Sequence, residues 1–171
     1  MESRWARTLD RMSVAVTPHP QLGVLANLIG VWEGDGTGRW GGGEPFAYRE
    51  HVTFTHNGKP FLMYTQRTWA ADGGRPLHTE SGYWRAAEDG GVELVLAHGT
   101  GVAEIEVGRW DGTRLALRTG AVHVSPTAKT VTALERVFDL GVDELEYTLH
   151  MATDGGAPEW HLNARLRRTA R

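Results

Sequence analysis

The chain has 171 residues, 40% of them hydrophobic and 23% charged, with a formal net charge of −3. This balance suits one soluble domain with its own core and argues against nucleic acid or an anionic membrane as a partner. It contains no cysteine, which excludes disulfides, iron–sulfur clusters and thiolate zinc sites and accords with a reducing cytoplasm, where we expect the protein to reside.

Met1 to Val16 carries Arg4, Arg7 and Arg11 without the continuous apolar core of a secretory signal. No uncharged apolar run approaches the roughly 18 residues that cross a bilayer, so no membrane span is expected. Residues 1–18 read as a flexible segment before a single domain over 19–171. His19-Pro20 then leads into Leu22, Leu25, Ala26, Leu28 and Ile29. Their spacing is close to one face of a short helix, with Pro20 in the first turn and Gly30 just past the end.

From Gly30 to Gly38 every second residue is glycine or Trp32. Glycine costs about 1 kcal/mol relative to alanine inside a helix, so this stretch reads as a strand. On a strand Gly30, Trp32, Gly34, Gly36 and Gly38 share one face, and something bulky must approach it. The candidates are a neighbouring strand at a barrel corner, a helix closing the barrel end, or a flat ligand.

Beyond Trp32 the chain alternates turn and strand. Gly41-Gly42-Gly43, Asn57-Gly58, Asp72-Gly73-Gly74, Asp89-Gly90-Gly91, Gly99-Thr100-Gly101, Asp111-Gly112, Ser125-Pro126, Gly141-Val142-Asp143 and Asp154-Gly155-Gly156 mark the turns. Between them we predict strands at about 31–38, 46–56, 60–69, 77–86, 91–98, 102–109, 113–122, 128–139, 143–152 and 159–168. Inward faces are expected at Tyr48, Val52 and Phe54; at Val92, Leu94 and Leu96; at Ala103, Ile105 and Val107; and at Leu145, Tyr147, Leu149 and Met151. Short connections imply antiparallel neighbours. Closure removes exposed edges, so the predicted fold is all-β: a ten-stranded antiparallel up-and-down barrel with a short N-terminal helix. Such a barrel is wider than one whose side chains fill it and should hold one sizeable apolar ligand.

No phosphate-binding loop, nucleophile elbow or His-Glu-x-x-His helix stands in its required context, which disfavours nucleotide binding and hydrolysis. Eight histidines remain. His19, His51, His56 and His123 read as surface residues, and His150 as outward-facing opposite Met151. His98 shares the inward parity of Val92, Leu94 and Leu96, and His78 opens a strand where either parity reaches the cavity rim. His161 alternates with Leu162, Ala164 and Leu166, and periodicity alone turns it outward.

Taken in order, Gly30-x-Trp32-x-Gly34-x-Gly36, Phe46-x-Tyr48-x-Glu50, Gly58-Lys59-Pro60-Phe61, Pro76-Leu77-His78-x-Glu80-x-Gly82, Ala97-His98 and His161-Leu162-x-Ala164-x-Leu166 resemble the nitrobindin family. The resemblance runs from about His19 to Arg168. It implies a barrel holding haem b at its open end, one per chain, with iron bound by His161. A bulge or rim position near Gly155-Gly156 and Pro158 would reconcile that role with strand parity. The resemblance also places Thr37 and Lys129 beside the haem and lines the pocket with Leu77, His78, His98 and Met151. Arg39-Trp40-Gly41-Gly42-Gly43 departs from the shorter Tyr-Pro turn usual in the family.

The activity implied is isomerisation of peroxynitrite to nitrate and reversible binding of nitric oxide, in a mostly apolar pocket without an obvious acidic donor. Pairing of two barrels as a homodimer is left open. A lipocalin-like carrier of a hydrophobic small molecule is the alternative of a different class, and a barrel filled by its own side chains is the third.

Overall fold

In the computed structural model, which describes residues 16–171, ten strands close into one antiparallel barrel. They are β1 (Gly30–Gly38), β2 (Phe46–Thr55), β3 (Phe61–Ala70), β4 (Pro76–Ala86), β5 (Gly91–His98), β6 (Val102–Asp111), β7 (Arg114–Val124), β8 (Ala133–Leu140), β9 (Glu144–Ala152) and β10 (Glu159–Ala170). Each strand pairs with its neighbour in sequence, and β1 closes on β10. Closure leaves every described strand with a neighbour on both sides, as short connections and edge avoidance lead one to expect, although β7 pairs with β8 only over Arg114–Arg118. The predicted segment 1–18 lies mostly outside the described residues.

The short helix predicted before β1 is present, in the form of 3₁₀ turns. Pro20–Leu28 forms 3₁₀ turns broken at Gly23 (φ 51°, ψ −124°), and His19 caps them by accepting from the Gln21 backbone N–H at 3.2 Å. Pro20 begins the segment as predicted, but the kink prevents a continuous α-helix. Leu22, Leu25 and Leu28 are buried against the barrel end. Trp32 Nε1 donates to the Leu28 carbonyl at 2.7 Å, and the Arg168 guanidinium lies 4.1 Å from the Trp32 ring centre. This end of the barrel is therefore plugged.

The glycine row of β1 is filled by a neighbouring strand and a tyrosine. A Cβ at Gly34 would fall on the Arg165 carbonyl of β10, and one at Gly36 on the Tyr48 ring. Two of the three candidate approaches are therefore observed: the strand at a corner over Gly34, and the helix closing the barrel end over Trp32.

An aromatic layer fills the half nearest the plug. Phe54 and Trp84 meet edge to face at 5.3 Å, Trp84 and Phe138 at 4.9 Å, and Leu62, Leu94, Leu115 and Leu166 pack around them. The other end, formed by the turns after β1, β3, β5, β7 and β9, carries no such packing and opens into a cavity of about 500 Å³.

Two strand readings need correction. Residues 128–132 are not strand, and β8 begins at Ala133. In β6 the inward face is Val102, Glu104 and Glu106, whereas Ala103, Ile105 and Val107 face out; Ile105 is 42% exposed. The apolar parity lost here because Glu104 and Glu106 have a buried cation, Arg136, to receive them inside.

Candidate functional site

The open-end cavity is built from strand termini. Its apolar wall includes Leu77, Val131, Leu149, Met151 and Leu162, and its polar wall includes His78, Glu80, His98, Arg136 and His161, with Lys129 and Trp40 at the rim. Of the residues that the sequence reading singled out, Leu77, His78, His98, Lys129, Met151 and His161 all line this one cavity.

Thr37 does not. It alternates with Gly36 and Gly38, lies in register with Ala47 and Asn163, and is exposed on the outer face. The period of two that turns Gly36 and Gly38 inward sends Thr37 out.

His161 reaches the cavity through an irregularity. The register between β10 and β9 shifts between Trp160 and Leu162, so the inward parity of Leu162, Ala164 and Leu166 does not carry back through His161. The turn that follows β1 holds this residue at both its backbone and its ring. The Arg39 N–H donates to the His161 carbonyl at 2.8 Å, and His161 Nδ1 donates to the Arg39 carbonyl at 2.7 Å. That bond fixes the proton on Nδ1 and leaves Nε2 with its lone pair free among the described residues. Burial lowers the His161 pKa below the usual histidine value, with the Arg39 hydrogen bond opposing, so the ring is neutral near pH 7. Trp40 packs edge-on against it at 5.5 Å, and the Lys129 ammonium stands 4.2 Å from the Trp40 ring centre.

The lining is mostly apolar, as expected, but below the rim the cavity floor is charged. Arg136 is buried in β8 and holds Glu104 at 2.8 Å and also Glu106, with Glu80 at 3.6 Å. His98 bridges Glu80 (3.1 Å) and Glu104 (2.8 Å), and Tyr64 donates to Glu80 at 2.7 Å. Across the floor Tyr147 donates to Glu50 at 2.8 Å, with Gln66 Nε2 at 3.4 Å.

Burial alone would raise Glu80 and Glu104, but the Arg136 guanidinium and the neighbouring imidazoles outweigh it and hold both carboxyls low. Burial would lower His98, but the Glu104 hydrogen bond and the Glu80 charge outweigh that and raise it. Glu50 has no cation within reach among the described residues, and burial pushes it up to about 8, against the opposing Tyr147 hydrogen bond. At neutral pH it is therefore protonated. Glu106 is pushed up to about 7 by burial, with Arg136 opposing.

Apart from His98, the sequence reading gave these residues no role, although two left a signal. Glu50 falls on the parity of Tyr48 and Val52, and Arg136 on that of Leu134 and Phe138. A charged residue on an apolar parity marks a buried polar group, and several on neighbouring strands mark a network.

Comparison with known proteins bears on this geometry. The family described as THAP4-like, heme-binding beta-barrel domain matches residues 21–168. Peroxynitrite isomerase 2 of Mycobacterium marinum is 49% identical over 154 residues, covering 88% of this chain and 96% of that one. Peroxynitrite isomerase 1 of Mycobacterium tuberculosis (strain H37Rv) is 47% identical over 156 residues, covering 87% and 95%. The crystal structure of Rv2717c from M. tuberculosis superposes with a TM-score of 0.82 at 44% identity, covering 90% of this chain and 99% of that one.

Proposed function

Because the chain belongs to the THAP4-like, heme-binding β-barrel family, the nitrobindins, we propose that it is a haem b protein, one group per chain, that isomerises peroxynitrite to nitrate with His161 as the iron's protein ligand. The observation that carries the reading is the imidazole of His161, turned into the cavity by the β10 irregularity and fixed by its Nδ1–H bond to Arg39, with Nε2 free.

The residues present fit the group. A cavity of about 500 Å³ is of the size that cofactors occupy, and its apolar wall suits a macrocycle. Leu77, Leu149 and Met151 offer soft packing surface, and Lys129 at the rim is a cation able to pair with a haem carboxylate. When bound, ferric haem supplies the Lewis-acid centre for the rearrangement and a site for reversible nitric oxide binding.

The chain's own contributions are three. The Arg39 carbonyl accepts a hydrogen bond from His161 Nδ1–H, which orients the ring and raises the basicity of Nε2. Leu77, Leu149 and Met151 exclude bulk water from the apolar side. Lys129 places positive charge at the mouth, which draws an anionic substrate inward.

Titration of the haem-free chain with haemin, followed by nitric oxide, tests this. A one-to-one complex with a histidine-type Soret band that shifts on nitric oxide addition is the expected result. His161→Ala should lose that band while circular dichroism still shows the barrel. An unchanged Soret band in His161→Ala would remove the ligand assignment, and no haemin binding by the parent chain would leave the apolar carrier as the better account.

A further inference from the structure

His78 and Glu80 project inward from β4 on one parity, and His98 at the end of β5 lies in register with Glu80. The three aim lone-pair atoms at one another. His78 Nε2 and His98 Nδ1 are 3.0 Å apart, His98 Nδ1 and Glu80 Oε2 3.1 Å, and His78 Nε2 and Glu80 Oε2 3.5 Å. Histidine nitrogen and carboxylate oxygen bind a first-row divalent ion at about 2.0–2.2 Å, so adjacent ligand atoms around such an ion stand roughly 2.8–3.6 Å apart between octahedral and tetrahedral angles. The triangle has those edges. A point about 2.1 Å from all three atoms exists about 1 Å off their plane.

We propose that His78, Glu80 and His98 bind one divalent first-row transition ion, as a two-histidine, one-carboxylate facial set distinct from His161. That donor set with open remaining positions suits iron(II), cobalt(II) or zinc(II). All three residues line the cavity, so the uncoordinated side of the ion faces space that water or a small anion can enter.

The surroundings are those of a metal centre. Ligating histidines commonly donate their second nitrogen to a carboxylate, and His98 Nε2 meets Glu104 Oε1 at 2.8 Å. The second oxygen of Glu80 is held by the Tyr64 hydroxyl at 2.7 Å, and the His78 backbone is tied to Thr68 Oγ1 at 3.1 Å. Arg136 is held most closely by Glu104 and Glu106, and it also stands 3.6 Å from Glu80 Oε2, so an ion at the triangle would share that oxygen's field with the guanidinium. Without an ion, the triangle is held by a shared proton on His98, and that is the rival state.

The proposal does not depend on haem, and the test keeps the two apart. Haem-free parent chain and three variants are titrated with cobalt(II) and zinc(II), by calorimetry and by the cobalt ligand-field spectrum. The parent should bind one ion per chain, and His161→Ala should bind it equally. His78→Ala, at the most exposed of the three positions, should keep its barrel by circular dichroism and bind at least tenfold more weakly. Glu104→Gln should keep the stoichiometry with affinity lowered about 10- to 100-fold. Absence of one-to-one binding in the parent, equal binding by His78→Ala, or loss of the site in His161→Ala would each overturn it.

Discussion

His161 owes its position to a backbone partner, Arg39, on a turn that is far away in sequence and adjacent in the barrel. The paired bonds between these two residues explain why the ring can leave strand parity without leaving the sheet. No periodicity argument reaches such a contact, and it was the ordered motif set that drew attention to His161. Glu50 poses a different question at the same scale. Its carboxyl titrates near 4.5 when exposed and is pushed up to about 8 by burial. Between those values the folded chain keeps a proton that the unfolded chain gives up, so this group's contribution to stability is full at low pH and is lost as pH rises toward 8. Glu50→Gln keeps the shape and removes the titration. Urea unfolding at about pH 5 and about pH 8 should show the variant gaining on the parent at the higher pH. Parallel pH slopes in the two chains would contradict the assignment of a neutral Glu50.

Among the elements, the strands were legible because each one ends at a marked turn. Glycines at positive φ sit where hairpins must reverse, as at Gly58 (φ 81°) and Gly112 (φ 61°), and Asn-Gly and Asp-Gly announce them. The face of a strand was legible only where apolar residues marked it. In β6 isoleucine and valine lie outside while two glutamates lie inside, because the deciding partner, Arg136, sits on a strand that β6 does not pair with. Inward glycines on β1, β4 and β6 record another constraint, the close coiling of one strand over the next. A Cβ at Gly82 would fall on the Val95 carbonyl of β5, and backbone cannot step aside as a side chain can. Gly82→Ala should therefore destabilise the barrel by about 1–3 kcal/mol, the usual cost of overpacking, in urea unfolding. An unperturbed midpoint would show that this approach is not as tight as the structure has it.

Viewed whole, the barrel is divided along its axis. A plugged, aromatic half supplies the core, a charged floor of Glu80, Glu104, Glu106, Arg136 and His98 separates it from the cavity, and the cavity opens at the end where the turn after β1 meets β10. Closure into one cylinder was foreseeable from sequential hairpins and edge avoidance, and the ten-strand width foretold an interior with room to spare. The charged floor was not foreseeable from composition, because 23% charged residues is ordinary and only the fold decides which of them meet inside. The division sets a packed base beneath a cavity lined by His161, His78 and His98, an apolar wall and one mouth. The most direct test of that account is the rate of peroxynitrite decay, followed by stopped-flow absorbance with the haem-loaded chain. The account predicts a rate that rises linearly with the concentration of haem-loaded chain and yields nitrate, with His161→Ala falling to the haem-free rate. A haem-loaded chain that decomposes peroxynitrite no faster than the haem-free chain would contradict it.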